Sequence, residues 1–410
     1  MTTFPAAMIK LALRNILRQK VRTAMILAAI IFGVVGLIVS GGFVQDMFAQ
    51  LAETIVHSQT GHIQIALRGY FGAGTRSPDK YLLRDIDGVT ATIKKQPEVE
   101  YVMARIGFSG LLNNGSTDLS IVGEGIEPAK EAALGTFIHI LQGRMLRQED
   151  LNGVLLGEGV AKSLRLKPGD PASILVATTD GAMNLLDFLV VGVFQSFSRD
   201  YDDRTVKIPM PAAQELLGTS GANVVVVVLG RTEDTGKVAA RLASELKGAG
   251  IEIKSWQEIN DFYPKTVELY SRQFGVLRLV VLMMVLLSVL NAVNMSILER
   301  AGEFGTMRAL GNRNRAVFKF VIVEGVVLGV AGSVIGTLLG LGLALVISAV
   351  GVPMPPPPNS NIGYTAHIRI EPAVVIGAFL VGVFATAIAS SFPAHRVSRL
   401  PIAEALRRVV

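Results

Sequence analysis

Four long apolar segments constrain this 410-residue chain more than any other feature of its sequence. The stretch from Thr23 to Gln45 contains no charged residue, and three further runs in the C-terminal third are similarly apolar. A helix needs about 20 apolar residues to cross the hydrocarbon core of a bilayer, and each run is long enough. We therefore predict four transmembrane helices, at 23–45, 274–298, 320–350 and 373–392.

Basic residues flank the apolar runs unequally, and this asymmetry predicts the orientation of the chain. Lysine and arginine accumulate in the cytoplasmic flanks of membrane helices. Here they are concentrated in 1–22, 299–319 and 393–410, whereas the loop at 351–372 has a single basic residue. We expect both termini in the cytoplasm, with an amphipathic helix at 1–22. The loop at 351–372 and the long segment 46–273 are expected outside.

The segment 46–273 is long enough to hold a hydrophobic core of its own, and it mixes strand-like and helix-like patterns. Helical spacing directly after the first span and before the second predicts a pair of stalk helices. A strand at 223–230, a helix at 233–248 and a strand at 251–255 are typical of a ferredoxin-like βαβ unit. We predict an α+β membrane protein with a large mixed α/β extracytoplasmic domain between transmembrane helices 1 and 2. Further strands are expected at 61–67, 100–108, 118–123, 153–157, 187–197 and 204–208, and further helices at 158–164 and 211–217.

Composition excludes several classes of function. Residues 45–273 carry 23 Lys and Arg against 28 Asp and Glu, and the remainder carries 16 against 5. Because the basic residues adjoin the apolar runs, they indicate membrane topology, and we expect no nucleic-acid partner. The chain has no cysteine, so neither disulfides nor thiolate metal sites can form.

The chain shows no motif for nucleotide, metal or acid–base chemistry. The stretch Gly230–Val238 comes nearest to a phosphate-binding loop, but it has five residues between its glycines instead of four. It also has a valine where a magnesium-binding hydroxyl is required. The five histidines form no recognisable ligand set, and the acidic cluster at 200–203 is more simply a polar loop. We predict no catalytic residue and no metal site, with nucleotide hydrolysis on another polypeptide.

The third span contains glycines and an acidic residue that are typical of contacts with neighbouring helices or with water. Overlapping G-x-x-x-G pairs let a neighbouring helix approach closely, although glycine is common in membrane helices. Glu324 at the start of span three is expected to face the headgroup water. The run Pro355–Pro358 predicts a stiff spacer or, alternatively, a recognition segment. The helix-packing glycines are Gly325, Gly329, Gly332, Gly336 and Gly340.

The stretch ERAGEFGTMRALG, at 299–311, lies between the second and third spans. Glu299 and Glu303 are four residues apart and share one face of a helix. Such a segment can dock on a partner protein. From charge and spacing alone, a solvated loop whose arginines only fix orientation is the better explanation.

Four stretches resemble a known family, and one of them is LALRNILRQKVRTAMILAAIIFGV, at 11–34, which is closely similar to the corresponding segment of that family. The 299–311 stretch resembles the coupling signature E-R-x-x-E-(I/F)-G-x-x-R-A-(I/L)-G of the FtsX-like ABC transporter permeases, which include the MacB and LolC/LolE types. The tail PAHRVSRLPIAEALR is similar to the tail of these permeases, with Pro393, Arg396 and Glu404 among its matches and a departure at Val397. The stretch GVLLGEGVAKSLRLKPGD resembles the MacB-like periplasmic core. The matched coupling residues are Glu299, Arg300, Glu303, Phe304, Gly305, Arg308, Leu310 and Gly311.

This resemblance implies a permease subunit of the cell inner membrane. Two copies, identical or homologous, are expected to form a dimer on two cytoplasmic ABC ATPase subunits, which bind ATP and Mg²⁺. The 299–311 stretch is then the ATPase-coupling helix. Nucleotide-driven closure is expected to move the external domains by mechanotransmission, with a periplasmic carrier or adaptor as a further partner.

Three functional types within the superfamily are compatible with parts of this outline. MacB-type exporters carry a fused ATPase at the N-terminus, for which there is no room before residue 24. FtsX-type proteins are non-transporting activators of external enzymes, usually with a smaller external domain. Lipoprotein-releasing permeases of the LolC/LolE type match the length and outline, and we prefer them. An efflux permease with a separate ATPase has the same outline.

Overall fold

A computed structural model of the chain describes residues 14, 18, 20–74, 78–134, 137–248, 250–356, 363–399 and 401. The helix predicted at 1–22 lies almost wholly outside these residues, and so does Glu404. The chain divides into two compact units. The helical unit comprises 1–48, 267–353 and 365–410, and the sheet unit comprises 49–266 and 354–364.

The helices of the described residues range from one turn to about 38 residues. In chain order they are α1 (Lys20–Ile55), α2 (Ile86–Ile93), α3 (Pro128–Leu134), α4 (Glu158–Leu164), α5 (Arg199–Asp202), α6 (Met210–Leu217), α7 (Thr235–Glu245), α8 (Trp256–Ile259), α9 (Phe262–Glu299), α10 (Ala301–Ala309), α11 (Asn314–Val350) and α12 (Pro372–Ser398). Short π-helical turns at Val56–Thr60 and Tyr70–Gly74 and 3₁₀ turns at Pro78–Lys80 and Thr232–Asp234 supplement them.

The strands belong to one large sheet and one small sheet of two strands. In chain order they are β1 (Ile63–Leu67), β2 (Val99–Asn113), β3 (Asp118–Ile126), β4 (His139–Gly143), β5 (Gly153–Gly157), β6 (Pro171–Ala177), β7 (Met183–Gln195), β8 (Thr205–Pro209), β9 (Val224–Leu229), β10 (Ile251–Ser255), β11 (Val352–Met354) and β12 (Tyr364–Ala366).

Four helices among the described residues, α1, α9, α11 and α12, are long and apolar enough to cross a membrane. This confirms the predicted architecture of four spans with a mixed α/β domain between the first two. The helices are longer than the apolar runs themselves. Helix α1 continues beyond Gln45 to Ile55, and α11 begins at Asn314, within the stretch assigned to the loop. The length of each helix therefore depends on where the helical backbone is interrupted, whereas the apolar run marks only the central part of the helix.

The core of the helical unit is built from β-branched and aromatic side chains. Ile30 and Val34 of α1, Val289 of α9 and Phe320 of α11 are all buried and belong to one cluster. Because a bilayer offers no hydrophobic drive between helices, such packing and close backbone approach hold the helices together.

A split βαβ arrangement lies at one end of the large sheet. Strand β1 pairs antiparallel with both β9 and β10, so these two strands run parallel with β1 between them. Helix α7 connects β9 to β10 and buries Val238 and Leu242 against them. The ferredoxin-like unit predicted at 223–255 is therefore present, with β1 inserted between its two strands.

The long strand β2 joins this arrangement to a closed barrel. Its first half pairs with β9 and its second half with β3 and β6. From β3 the pairing continues through β8, β5 and β7, and β7 pairs with β6, which returns to β2. The ring of six strands has no free edge within itself, and its buried side chains form, together with those of α4 and α6, the largest buried cluster of the sheet unit.

Register decides which side chains fill the barrel. Leu112 of β2 faces Ile174 of β6, and both are fully buried. One residue earlier, Leu111 faces Leu175, which in turn faces Leu185 of β7, so these leucines point away from the interior. Leu111, Met183, Leu185 and Leu189 are all exposed, and we call these four the outer apolar row.

A buried ion network ties α3 to two strands of the large sheet. Glu131 of α3 accepts hydrogen bonds from Arg105 of β2 at 2.8 Å and from Lys207 of β8 at 2.6 Å. Both Glu131 and Lys207 are inaccessible to solvent. Burial alone would raise the pKa of Glu131, but the charges of Arg105 and Lys207 hold it at about 2. The carboxylate is therefore ionised at neutral pH and balances two buried cations.

Candidate coupling site

The segment between the second and third spans forms the short helix α10. Helix α9 ends at Glu299, and Arg300, with φ −98° and ψ 11°, breaks the helical path before α10 begins. Gly302 and Gly305 lie within α10, and both are buried. Gly311 has a positive φ of 96°, a conformation that favours glycine, and the chain turns there towards α11.

One face of α10 is turned into the helical unit. Arg300 is only 5% exposed and Phe304 only 1%. The guanidinium of Arg300 donates from one nitrogen to both carboxylate oxygens of Glu324, at 2.7 and 2.9 Å. The expectation that Glu324 faces headgroup water is therefore wrong, because a buried arginine from the preceding segment reaches it.

The opposite face of α10 is exposed. Glu299, Glu303 and Thr306 are accessible, and Leu310 is 80% exposed. Glu303 also accepts hydrogen bonds from Arg300 at 3.1 Å and from Arg18 at 3.4 Å. Arg308 is half-buried. The residues predicted for coupling thus separate into an anchoring set, Arg300, Phe304 and Gly305, and an accessible set, Glu299, Glu303, Leu310 and Gly311.

The tail motif is only partly described. Pro393 is buried and Arg396 exposed, and both lie within α12, which continues through the proline to Ser398. Val397, where the sequence departs from the family pattern, is buried in the core of the helical unit. A larger apolar side chain at this position therefore fills space between helices.

The five glycines of α11 lie against two different neighbours. A Cβ at Gly325 would clash with Ser390 Oγ, and one at Gly329 would lie 3.1 Å from Thr386 Cβ, both on α12. At Gly332, Gly336 and Gly340 the nearest atoms belong to Ile30, Val34 and Ile38 of α1, at 2.9, 2.9 and 3.0 Å. Helix α11 therefore approaches α12 with its first half and α1 with its second.

Among the residues that the structure describes, no group of three or more His, Cys, Asp or Glu side chains could hold a metal ion. His62 accepts a hydrogen bond from the Leu229 N–H at 3.1 Å, and burial lowers its pKa to about 4. Asp202, in the acidic cluster, accepts from the Ser196 N–H at 2.9 Å. Gly230 leads from β9 through a 3₁₀ turn into α7. Each of these features has a structural explanation.

Sequence reasoning missed the roles of Arg18 and Glu324 in this site. Glu324 is the single acidic residue of the third apolar segment, and such a residue normally has a partner inside the protein. The sequence separation between Glu324 and Arg300 does not indicate a contact, because the two residues lie on either side of a chain reversal.

Comparison with known proteins places the chain in a family. The model of the MacB-like periplasmic core domain matches residues 23–245, and that of the FtsX-like permease C-terminal domain matches 275–402. The chain is 29% identical over 288 residues to an uncharacterized ABC transporter permease of Methanocaldococcus jannaschii, covering 65% of each chain. It is 21% identical to the lipoprotein-releasing system transmembrane protein LolE of Haemophilus influenzae, covering 62% of each.

A third relative is the macrolide export ATP-binding/permease protein MacB of Wolinella succinogenes, at 24% identity over 84% of this chain and 54% of that protein. The chain spans less than two thirds of the length of each of these three relatives. The periplasmic-core model alone matches more than half of the 410 residues. The chain is thus a multi-pass membrane protein that belongs to the MacB-like and FtsX-like family of ABC transporter permeases.

Proposed function

We propose that the chain is a permease subunit that releases or exports lipoproteins or related lipophilic substrates from the inner membrane. A separate ATPase subunit binds ATP and Mg²⁺ and supplies the energy. Relatives named for lipoprotein release and for macrolide export both support a lipophilic substrate. In this proposal the N- and C-termini are cytoplasmic, and the sheet unit is external.

The accessible face of α10 is the proposed contact with the ATPase. It presents an acidic residue, Glu303, and the highly exposed apolar side chain of Leu310 follows directly after the helix. Two permease copies, identical or homologous, pair above two ATPases, and nucleotide-driven closure changes the arrangement of the external domains. Moving such an equilibrium from 1:99 to 99:1 requires about 5.5 kcal/mol of differential binding, which is within reach of ATP binding and hydrolysis.

The observation that carries the choice of substrate is the outer apolar row. Met183 is 63% exposed, Leu185 51% and Leu189 53%, although a barrel strand facing water would normally present polar residues. Exposed apolar surface of this kind marks binding sites for apolar ligands or partners. A lipid-modified substrate taken from a membrane presents acyl chains that such a surface would cover.

Depletion and complementation in the native host test this proposal. Depletion should leave diacylated proteins in the inner membrane, and the wild-type chain should restore their sorting. A Leu185→Asp variant should restore it several-fold less well, because it removes apolar surface and adds a second carboxylate near the exposed Asp187, which opposes binding of an acyl chain. The measurement is quantitative mass spectrometry of lipidated peptides in separated membranes.

The matched control is Leu141→Asp, because Leu141 is 45% exposed on the edge strand β4 and lies outside the outer apolar row. Unchanged sorting after depletion would contradict lipoprotein release. In that case a co-purifying periplasmic adaptor would favour an efflux permease. A co-purifying cell-wall hydrolase would favour a non-transporting activator of an external enzyme.

A further inference from the structure

Four side chains of alternating charge connect three parts of the helical unit. Arg18 lies 3.4 Å from Glu303, Glu303 lies 3.1 Å from Arg300, and Arg300 lies 2.7 Å from Glu324. We call these four residues the charge ladder. It runs from the segment before the first span, across α10, to the first turns of α11.

The contacts in the ladder differ in strength. The side chains of Arg18 and Glu303 are 76% and 45% exposed, so water and salt screen their contact and it contributes little. The side chains of Arg300 and Glu324 are only 6% and 15% exposed. There the attraction is hardly screened, and breaking the pair would leave a buried charge without a partner.

Arg300 is held on three sides. One of its terminal nitrogens donates to both oxygens of Glu324, its Nε donates to Glu303, and its guanidinium lies 5.3 Å from the centre of the Phe304 ring. The residue stands where α9 ends and α10 begins. The helical path is interrupted at this point, so the backbone alone would let α10 swing relative to its neighbours.

We propose that Arg300 and Glu324 are positioning residues that join α10 rigidly to α11, so that displacement of α10 is passed directly to the third span. This inference rests on the proposed contact between α10 and an ATPase. Without the pair, movement imposed on α10 would be absorbed by bending at Arg300. Arginine is required, because a lysine keeps the charge but cannot contact Glu324 and Glu303 together in a fixed geometry.

Spin labels can measure this rigidity directly. The natural sequence has no cysteine, so Thr306→Cys on α10 and Lys319→Cys on α11, both at exposed positions, give a single label pair. In the purified full-length chain we expect one narrow distance distribution. It should stay narrow when the co-purified ATPase and a non-hydrolysable ATP analogue are added, because α10 and α11 move together.

Arg300→Lys and Glu324→Gln should each broaden this distribution. The matched control is Arg313→Lys, since Arg313 is exposed and its side chain makes no capping hydrogen bond to α11. Variants whose distribution stays as narrow as that of the wild type would overturn the inference, and so would a broad distribution in the wild type itself.

The result of the spin-label experiment can be distinguished from the result of the test of the proposed function. The distance distributions of the wild type and the variants are compared first in the purified permease without an ATPase, and this comparison alone decides the inference. Failure of any ATPase to bind α10 would instead overturn the proposed function. A pair that only stabilised the fold would reduce the amount of folded protein but leave the distances in the folded fraction unchanged.

Discussion

Replacing Glu303 with lysine is expected to uncouple ATP hydrolysis from transport while the protein remains inserted in the membrane. The Glu303 carboxylate accepts hydrogen bonds from Arg300 and Arg18, and its side chain is 45% exposed on the accessible face of α10. A lysine there would place a third positive charge beside two arginines and reverse the charge offered to the ATPase. Substrate released per ATP hydrolysed, measured in vesicles, should fall at least about tenfold, equivalent to about 1.4 kcal/mol of lost coupling.

Arg308→Glu should act in the same direction, because it reverses the charge at the other end of the same helix. The matched control is Arg313→Glu, an equal charge reversal at an exposed position beyond Gly311. Wild-type coupling in both Glu303→Lys and Arg308→Glu would remove the assignment of α10 as the coupling helix.

Removing the buried carboxylate of Glu131 is expected to lower the free energy of unfolding of the sheet unit by about 3–5 kcal/mol. Glu131→Gln leaves Arg105 and Lys207 as buried cations without a full counter-charge. Chemical unfolding of the full-length protein, followed by hydrogen exchange of β2 and β8, measures the loss. Glu149→Gln is the control, because Glu149 forms an exposed pair with Arg147 that contributes at most about 1 kcal/mol.

The same carboxylate gives this prediction a pH dependence. The pKa of Glu131 falls from 4.5 to about 2 on folding, so its stabilising effect is fully present above pH 4.5. The effect is lost as the pH falls from 4.5 towards about 2, because over this interval a proton binds the carboxyl of the unfolded state but not that of the folded state. The wild type should therefore lose about 3 kcal/mol more than Glu131→Gln over this interval. Equal losses in the two proteins would show that the network is not ionised as described.

Much of the sheet unit could be predicted from local patterns. The strands at Gly153–Gly157 and Ile251–Ser255 and the helix at Glu158–Leu164 have the predicted bounds. Strand β6 was missed, because it begins with a proline and follows a tight turn, although Ala172, Ile174 and Val176 alternate towards the core. Helix α2 was also missed, despite Asp85, whose side chain accepts from the Gly88 N–H as an N-cap.

The closure of the barrel could not be predicted, because it depends on pairing between strands far apart in the sequence. Leu111 and Leu112 are chemically identical, and only the register with β6 turns one outward and the other inward. The burial of Glu131 could not be predicted either, because its two cationic partners lie 26 and 76 residues away in the sequence. A lysine in a strand suggests an exposed position until its partner is known.

At the coupling site, the motif identified the segment but not the direction of its side chains. Arg300 and Phe304 are four residues apart and therefore share a helical face, which was a usable signal that they could be buried together. The partner of Arg300 was not visible, because Glu324 is brought to it only by the reversal between α10 and α11.

The central claim is that the chain is a permease driven by an ATPase on another polypeptide. Affinity purification from native membranes in mild detergent, with mass spectrometry of every co-purifying protein and lipidated peptide, tests it most directly. We predict stoichiometric recovery of a soluble ATPase together with acylated lipoproteins, and loss of productive coupling to that ATPase in Glu303→Lys. Recovery of the intact chain with no ATPase would contradict the account.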